Sequence, residues 1–289
     1  MQVTEKIHAL KIPFQIPVSP EMVLDRIVYS YFVFSETITL VDTGVAGSET
    51  MIFDYIRENG RDPQDITAVI LTHAHPDHIG SVKVIKDATG CTVMAHDMEK
   101  GWIEDTEKQY AERPVPWFHS LVAGPVTVDR VIGDGDVVDL GGQTRCHVIH
   151  TPGHSAGSMA LHFPDEKSII TGDAVPLPGA LPIYDDVVAS VASIKKLKRV
   201  HNVDVMLSSW EDPIVGSDRI AQRLDAGLSY LRRVHECVLD ARGQNKGDVF
   251  DVCRQVVAEI GLPPSAVNPL VTRSMISSLS AAGTEGLFD

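Results

Sequence analysis

One short stretch constrains this chain more than anything else in it. Ile66 to Leu71 (ITAVIL) is an unbroken apolar run that leads straight into Thr72-His73-Ala74-His75-Pro76-Asp77-His78. The run reads as a β-strand buried on both faces, as in sheets covered by helices. At its C-terminal end stand four potential ligands, His73, His75, Asp77 and His78, within six residues. On an extended segment, positions two apart project to the same side, so His73 and His75 can share a target. Pro76 then turns the chain, and Asp77 and His78 open the next helix, facing back toward the same point. Surface histidines in a polar loop are the ordinary alternative. Imidazoles and a carboxylate packed this densely at a strand end favour a metal.

The flanking pattern alternates strands and helices. Ile27 to Phe34 (IVYSYFVF) and Thr37 to Val41 (TITLV) read as strands joined at Ser35-Glu36. Asp42-Thr43-Gly44 breaks the run, and Gly47-Ser48-Glu49 opens a helix to about Asn59, with Ser48 as its N-cap. Ile79 to Lys86 is helical and Cys91 to Ala95 is a strand. From His96 to Gly124 the periodicity fails, with Pro114 and Pro116 bracketing Val115 ahead of Trp117-Phe118-His119. A long irregular stretch inside a compact domain is more often functional than not. Strands resume at Val126 to Ile132, Arg145 to Ile149, Ser158 to Phe163 and Ser168 to Ile170. Pro176 to Ile183 (PLPGALPI) is a Pro-rich loop, Asp185 to Val200 a helix, and Val203 to Leu207 a strand. Beyond Pro213 only helical spacing remains, over Asp218 to Arg242, Phe250 to Ile260 and Val267 to Leu279. The chain therefore divides into an α/β metal-binding domain, residues 1–213, and a helical C-terminal extension, residues 214–289.

Two further pieces fit the metal reading. Thr151-Pro152-Gly153-His154-Ser155-Ala156-Gly157 places a histidine in a tight turn after one strand, and Thr171-Gly172-Asp173 places a carboxylate after another. With THAHPDHIG (Thr72 to Gly80), TPGHSAGS (Thr151 to Ser158), TGDA (Thr171 to Ala174) and the early Asp42-Thr43-Gly44, residues 1–213 resemble the metallo-β-lactamase-fold hydrolases. That resemblance implies a four-layer αβ/βα sandwich with metals at one edge between two mixed sheets. It implies that His73, His75 and His154 bind a first metal, that Asp77 and His78 bind a second, and that Asp173 bridges them. Asp42 would orient the His73–His75 loop, since metal-bound imidazoles need their other N–H fixed. The chain departs from the family pattern at one place. Where the family usually carries a last histidine, the strand Val203 to Leu207 ends in Ser208-Ser209-Trp210-Glu211-Asp212. Glu211 or Asp212 is the candidate substitute ligand; otherwise water completes the second site. The expectation is a tight first metal and a labile second one.

Zinc, one or two per chain, suits these ligands, and zinc-bound water has a pKa near ~7, which makes hydroxide available at neutral pH. Asp77 is the candidate catalytic residue, orienting the nucleophile and passing a proton to the leaving group. The leading expectation is hydrolysis of a small ester, thioester or lactone, the range of glyoxalase II-like and lactonase-like relatives. Trp117, Phe118 and Tyr184 are candidate pocket residues, as aromatic walls for an apolar acyl or lactone group. Two other readings stand beside this one. Imidazole and carboxylate ligands also suit iron, and a mononuclear iron site would make the protein a persulfide-dioxygenase-like oxidoreductase. A degraded site could instead serve a non-catalytic ligand sensor.

Composition narrows the partners. The formal charge of −14 in 289 residues opposes non-specific binding of nucleic acid. No apolar run reaches the ~20 residues a membrane span needs. The N-terminus shows no secretory pattern, and the four cysteines, Cys91, Cys146, Cys237 and Cys253, form no CxxC pair. A cytoplasmic protein acting on a small molecule is expected. The helical extension could complete the pocket, cap the sheet or form a homodimer interface.

Overall fold

Two six-stranded mixed sheets, packed face to face, organise the molecule, and the computed structural model describes residues 1–19, 22–244 and 247–289. In the first sheet spatial order equals chain order: β1 (Ile7–Ser19), β2 (Met22–Phe34), β3 (Ile38–Val41), β4 (Ile66–Ile70), β5 (Thr92–Ala95) and β6 (Arg130–Val131). The long β1–β2 hairpin and the β2–β3 pair are antiparallel, and β3 to β6 run parallel. The second sheet comprises β7 (Val137–Asp139), β8 (Arg145–His150), β9 (Met159–Phe163), β10 (Ser168–Gly172), β11 (Val205–Ser208) and β12 (Ile214–Val215), with only β10–β11 parallel.

Three apolar clusters define the layers. Between the sheets, Tyr31, Ala68 and Ile70 of the first meet Val148, Leu161 and Leu207 of the second. Outside the first sheet lie α1 (Ser48–Glu58), α2 (Pro76–Ile79), α3 (Val82–Thr89), α4 (Asp97–Ile103), α5 (Thr106–Glu112) and α6 (Phe118–Leu121). Their Ile52, Ile79, Ile85 and Phe118 pack on Val69 and Leu71. Ala68 and Ile70 thus face one layer while Val69 and Leu71 face the other, which is why the strand is apolar at every position. Outside the second sheet, α7 (Val187–Leu197) shares one cluster with α8 (Ser217–Gln244), α9 (Val249–Glu259) and α10 (Pro269–Ser280). The C-terminal helices therefore lie in the same core as α7, and their apolar stripes meet Ile169 of β10 and Met206 of β11.

Several elements differ from the sequence reading. The stretch His96 to Gly124 holds three short helices, α4 to α6, of four to seven residues each. Helices this short show too few turns for a periodic stripe. The first two are held locally by side-chain caps: His96 Nδ1 accepts from the Met98 N–H at 3.2 Å and Asp105 from the Lys108 N–H at 2.9 Å. Ser48 is the first helical residue of α1, not its cap; Gly47 precedes it in the left-handed region, at φ 90°. The strand expected over Val126 to Ile132 shrinks to the two residues of β6. Among the described residues no helix is long and apolar enough to cross a membrane, and the four cysteines are free and buried.

Candidate metal centre

Five strand ends meet at one edge of the sandwich. Asp42 follows β3, His73 to His78 follow β4, His154 follows β8, Asp173 follows β10 and Trp210 follows β11. The first group of ligands is His73, His75 and His154, all buried or nearly so. His75 Nδ1 lies 3.0 Å from His73 Nε2 and 2.8 Å from His154 Nε2. A ring nitrogen carries either one in-plane proton or one lone pair, so His75 Nδ1 cannot serve both neighbours by hydrogen bonding at once. Three lone pairs directed at one cation resolve the conflict, and the donor set suits zinc.

The far nitrogens are arranged for that role. The His154 Nδ1–H donates to the Ile183 carbonyl at 2.9 Å, which leaves the Nε2 lone pair free. Thr72 Oγ1 donates to Asp42 Oδ2 at 2.7 Å and can therefore accept from His73 Nδ1 at 3.0 Å, with the same result. Burial holds His73 and His75 well below the ordinary histidine pKa, helped by the charge of His78 on His73 and of Arg113 on His75. Neutral imidazoles are what a metal requires.

The second group sits alongside. His78 Nε2 is 3.4 Å from Asp77 Oδ2 and 3.5 Å from Asp173 Oδ1. Asp173 Oδ2 is 3.3 Å from His154 Nε2, so this carboxylate lies between the two groups. His78 Nε2 and Asp173 Oδ1 are both enclosed without a hydrogen-bond partner, as is His75 Nε2. Burial alone would lower the His78 pKa, but Asp173, Asp77 and Asp42 outweigh it and raise it well above the ordinary value. Burial would raise the Asp173 pKa, but His78 and His154 hold it well below the usual range.

The sequence pattern of the metallo-beta-lactamase superfamily matches residues 23–207. The chain belongs to that superfamily. A hydroxyacylglutathione hydrolase of Hyphomonas neptunium is 31% identical over 147 residues, 50% of this chain and 48% of that protein. An acyl-coenzyme A thioesterase of Gallus gallus is 31% identical over 136 residues, 42% of this chain and 48% of that protein. The chain thus spans about half the length of these curated relatives. A metallo-beta-lactamase family protein of Thermus thermophilus shares the fold across 96% of this chain and 94% of its own, with a TM-score of 0.73 and 19% identity.

Within this superfamily site, the departure after β11 has a definite geometry. The Trp210 Nε1–H donates to Asp173 Oδ2 at 2.9 Å. An indole N–H donates and cannot ligate. Glu211 is engaged away from the cluster: its Oε1 accepts from Arg223 Nε at 2.7 Å and from Ser208 Oγ at 3.1 Å. Asp212 is also taken, by Lys11 Nζ at 2.6 Å and the Tyr29 hydroxyl at 2.5 Å.

Asp42, at φ 58°, reaches the His73 ring through the Thr72 hydroxyl. It accepts from the Thr72 N–H at 2.8 Å and lies 2.8 Å from His78 Nδ1, so it grips the start of the ligand loop and orients His78 directly. Phe118 belongs to the core outside the first sheet, not to a pocket. Tyr184 is likewise a core residue: its hydroxyl is 2.8 Å from Ser278 Oγ of α10, and its N–H donates to Ser274 Oγ at 2.8 Å. Burial pushes the Tyr184 phenol well above its ordinary pKa. Of the three aromatic candidates only Trp117 is exposed.

Two supporting residues come from the stretch whose periodicity fails. Glu99 of α4 is buried, and its Oε2 accepts from the Ala74 N–H at 2.8 Å. Its Oε1 accepts from Ser155 Oγ and from the Gly157 N–H, each at 2.6 Å. One carboxylate therefore ties the His73–His75 loop to the His154 loop. Gly157 permits this, since a Cβ there would lie 2.7 Å from Glu99 Cγ. Gln109 of α5 donates through Nε2 to the Ala74 carbonyl, so the residue between the two ligand histidines is held by both backbone groups. Nothing in the spacing marks Glu99 or Gln109, and their burial shows only in the fold.

Proposed function

We propose that the protein is a zinc-dependent hydrolase of a small ester, thioester or lactone. The observation that carries this reading is the convergence of His73 Nε2, His75 Nδ1 and His154 Nε2, with Asp77, His78 and Asp173 beside them. Zinc bound there would supply a Lewis acid and a water acidified to a pKa near ~7. His73, His75 and His154 would hold that ion in one orientation. Asp77 is the most exposed of the six ligand-type side chains at 18%, and so the one best able to exchange a proton with substrate or solvent. In this reading it accepts a proton from the attacking water and returns it to the leaving group. Asp173 completes the second group through Oδ1, and Trp210, which follows β11, supplies an N–H to Oδ2 and no further ligand, which favours a tight first metal and a weak second one. The names of the two curated relatives favour thioesters within the substrate class.

The test is metal content on protein purified without added metal, followed by a screen of thioesters, esters and lactones. Zinc at one equivalent or more, with turnover that a chelator abolishes, is the expected result. Iron at one equivalent, with oxygen consumed on a persulfide, would replace this reading by the oxygen-dependent one. Ligand binding without turnover, unchanged in His75→Ala and Asp173→Ala, would replace it by the sensor.

A further inference from the structure

Arg113 is a buried cation whose guanidinium no described residue engages. It closes the C-terminal end of α5 and is 4% exposed. Its Nε is enclosed without a partner, and among the described residues its guanidinium makes no hydrogen bond or ion pair. The terminal nitrogens are not among the enclosed unpartnered atoms, so the end of the fork reaches solvent while its stem does not. Native structures rarely leave a buried charge in this state, because removing a charge from water is costly unless a partner compensates it.

Its position relates it to the metal centre. The Arg113 N–H donates to the Gln109 carbonyl at 2.8 Å, closing the last turn of α5. The Gln109 side chain reaches the Ala74 carbonyl, between the ligands His73 and His75. Arg113 thus follows by one turn the residue that holds the ligand loop, and its charge acts on His75. From the other side, Arg273 of α10 donates through a terminal nitrogen to the Glu112 carbonyl at 3.1 Å and through Nε to Asp185 Oδ1 at 3.2 Å. Asp185 is the acid whose charge acts most strongly on Arg113, followed by Asp77. Asp185 is engaged by Arg273, and Asp77 belongs to the ligand cluster. Both act on the Arg113 charge from a distance, and neither forms an ion pair with it.

We propose that Arg113 is a specificity residue that receives a carboxylate of the substrate, so that the preferred thioester or ester is an anion. A guanidinium presents two parallel N–H groups that match a carboxylate in both shape and charge. One unengaged arginine balances one negative charge; a phosphate dianion would call for further donors. In a chain of formal charge −14 the overall field repels anions, so an anionic substrate needs a short-range contact of this kind. This inference rests on the hydrolase reading for its substrate class, although the binding site itself does not.

The experiment uses the zinc-loaded protein and matched thioesters. The succinyl and butyryl thioesters of N-acetylcysteamine place the carboxylate on the acyl side. The butyryl thioesters of 3-mercaptopropionate and of N-acetylcysteamine place it on the thiol side. In one of the two pairs the wild type should favour the anion by at least about tenfold in kcat/KM. Arg113→Met should abolish that preference, chiefly through KM, and Arg113→Lys should restore part of it. Absence of preference in both wild-type pairs, or an unchanged preference in Arg113→Met, overturns the proposal. The wild-type comparison decides even if the variants fail to fold. A separate readout is the thermal shift produced by succinate. It should be larger than that from butyrate or phosphate, and smaller in Arg113→Met than in the wild type. If no thioester is turned over but this shift depends on Arg113, the hydrolase reading fails and the carboxylate site stands. If phosphate gives the larger shift, the carboxylate assignment fails.

Discussion

The nitrogens of His73, His75 and His154 approach to 2.8–3.0 Å around His75 Nδ1, whereas His78 keeps 3.4–3.5 Å from Asp77 and Asp173. The two halves of the cluster differ in their support as well. Glu99 and Gln109 clamp the loops of the first half through backbone groups, and the Ile183 carbonyl fixes its third imidazole. In the second half Asp42 orients His78 and Thr43 holds the His78 carbonyl through its N–H and its hydroxyl, but Asp77 has no hydrogen-bond partner among the described residues. A ligand set is only as definite as the groups that orient it, and here the orienting groups favour the first half.

Four variants can break or sharpen this contrast. The largest effect is expected from His154→Ala, which should remove the tight metal and lower kcat/KM by roughly a thousandfold or more; retention of one tightly bound metal would end the distinction between the halves. Glu99→Ala should come next. It strands two buried backbone donors and a hydroxyl, and should cost about 3 kcal/mol of stability together with a 10–100-fold loss of metal affinity. Denaturant unfolding and metal competition measure both, and weakening of the second metal alone would contradict the clamp. Trp210→His should tighten the second metal by about tenfold, raising the metal retained after dialysis from about one to about two per chain. An unchanged count would mean that Trp210 is not what weakens that half. The smallest effect belongs to Tyr184→Phe. Loss of its hydrogen bond to Ser278 should cost about 1 kcal/mol and leave kcat unaltered; a large fall in kcat would return Tyr184 to the pocket.

These contrasts also show which parts of the molecule its sequence made readable. Ile66 to Leu71 was readable because a strand buried on two faces must be apolar at every position, and the ligand motifs because metal ligands must be particular residue types; the sandwich followed from the resemblance those motifs carry. Glu99 was invisible for the opposite reason. It acts on backbone N–H groups, which every residue has, so no partner residue type betrays it. Phe118 and Tyr184 misled because a large aromatic beside a motif looks the same whether it faces substrate or core; only the Ser278 contact and the burial decide. Helices α4 to α6 escaped because four to seven residues do not complete a stripe. The substitution at Trp210 was evident as a missing histidine, but its hydrogen bond to Asp173 required the fold.

The hydroxyls of Ser274, Ser277 and Ser278 on α10 reach the chain at Tyr184 and Val187, next to the Ile183 carbonyl that fixes His154. A ligand in the sandwich is thereby tuned from the far end of the sequence. Divergence in the tail is then not neutral for the centre. A lineage that altered α10 would have to adjust residues 183–187 in step, and exchanging tails between relatives should transplant metal-site behaviour along with them.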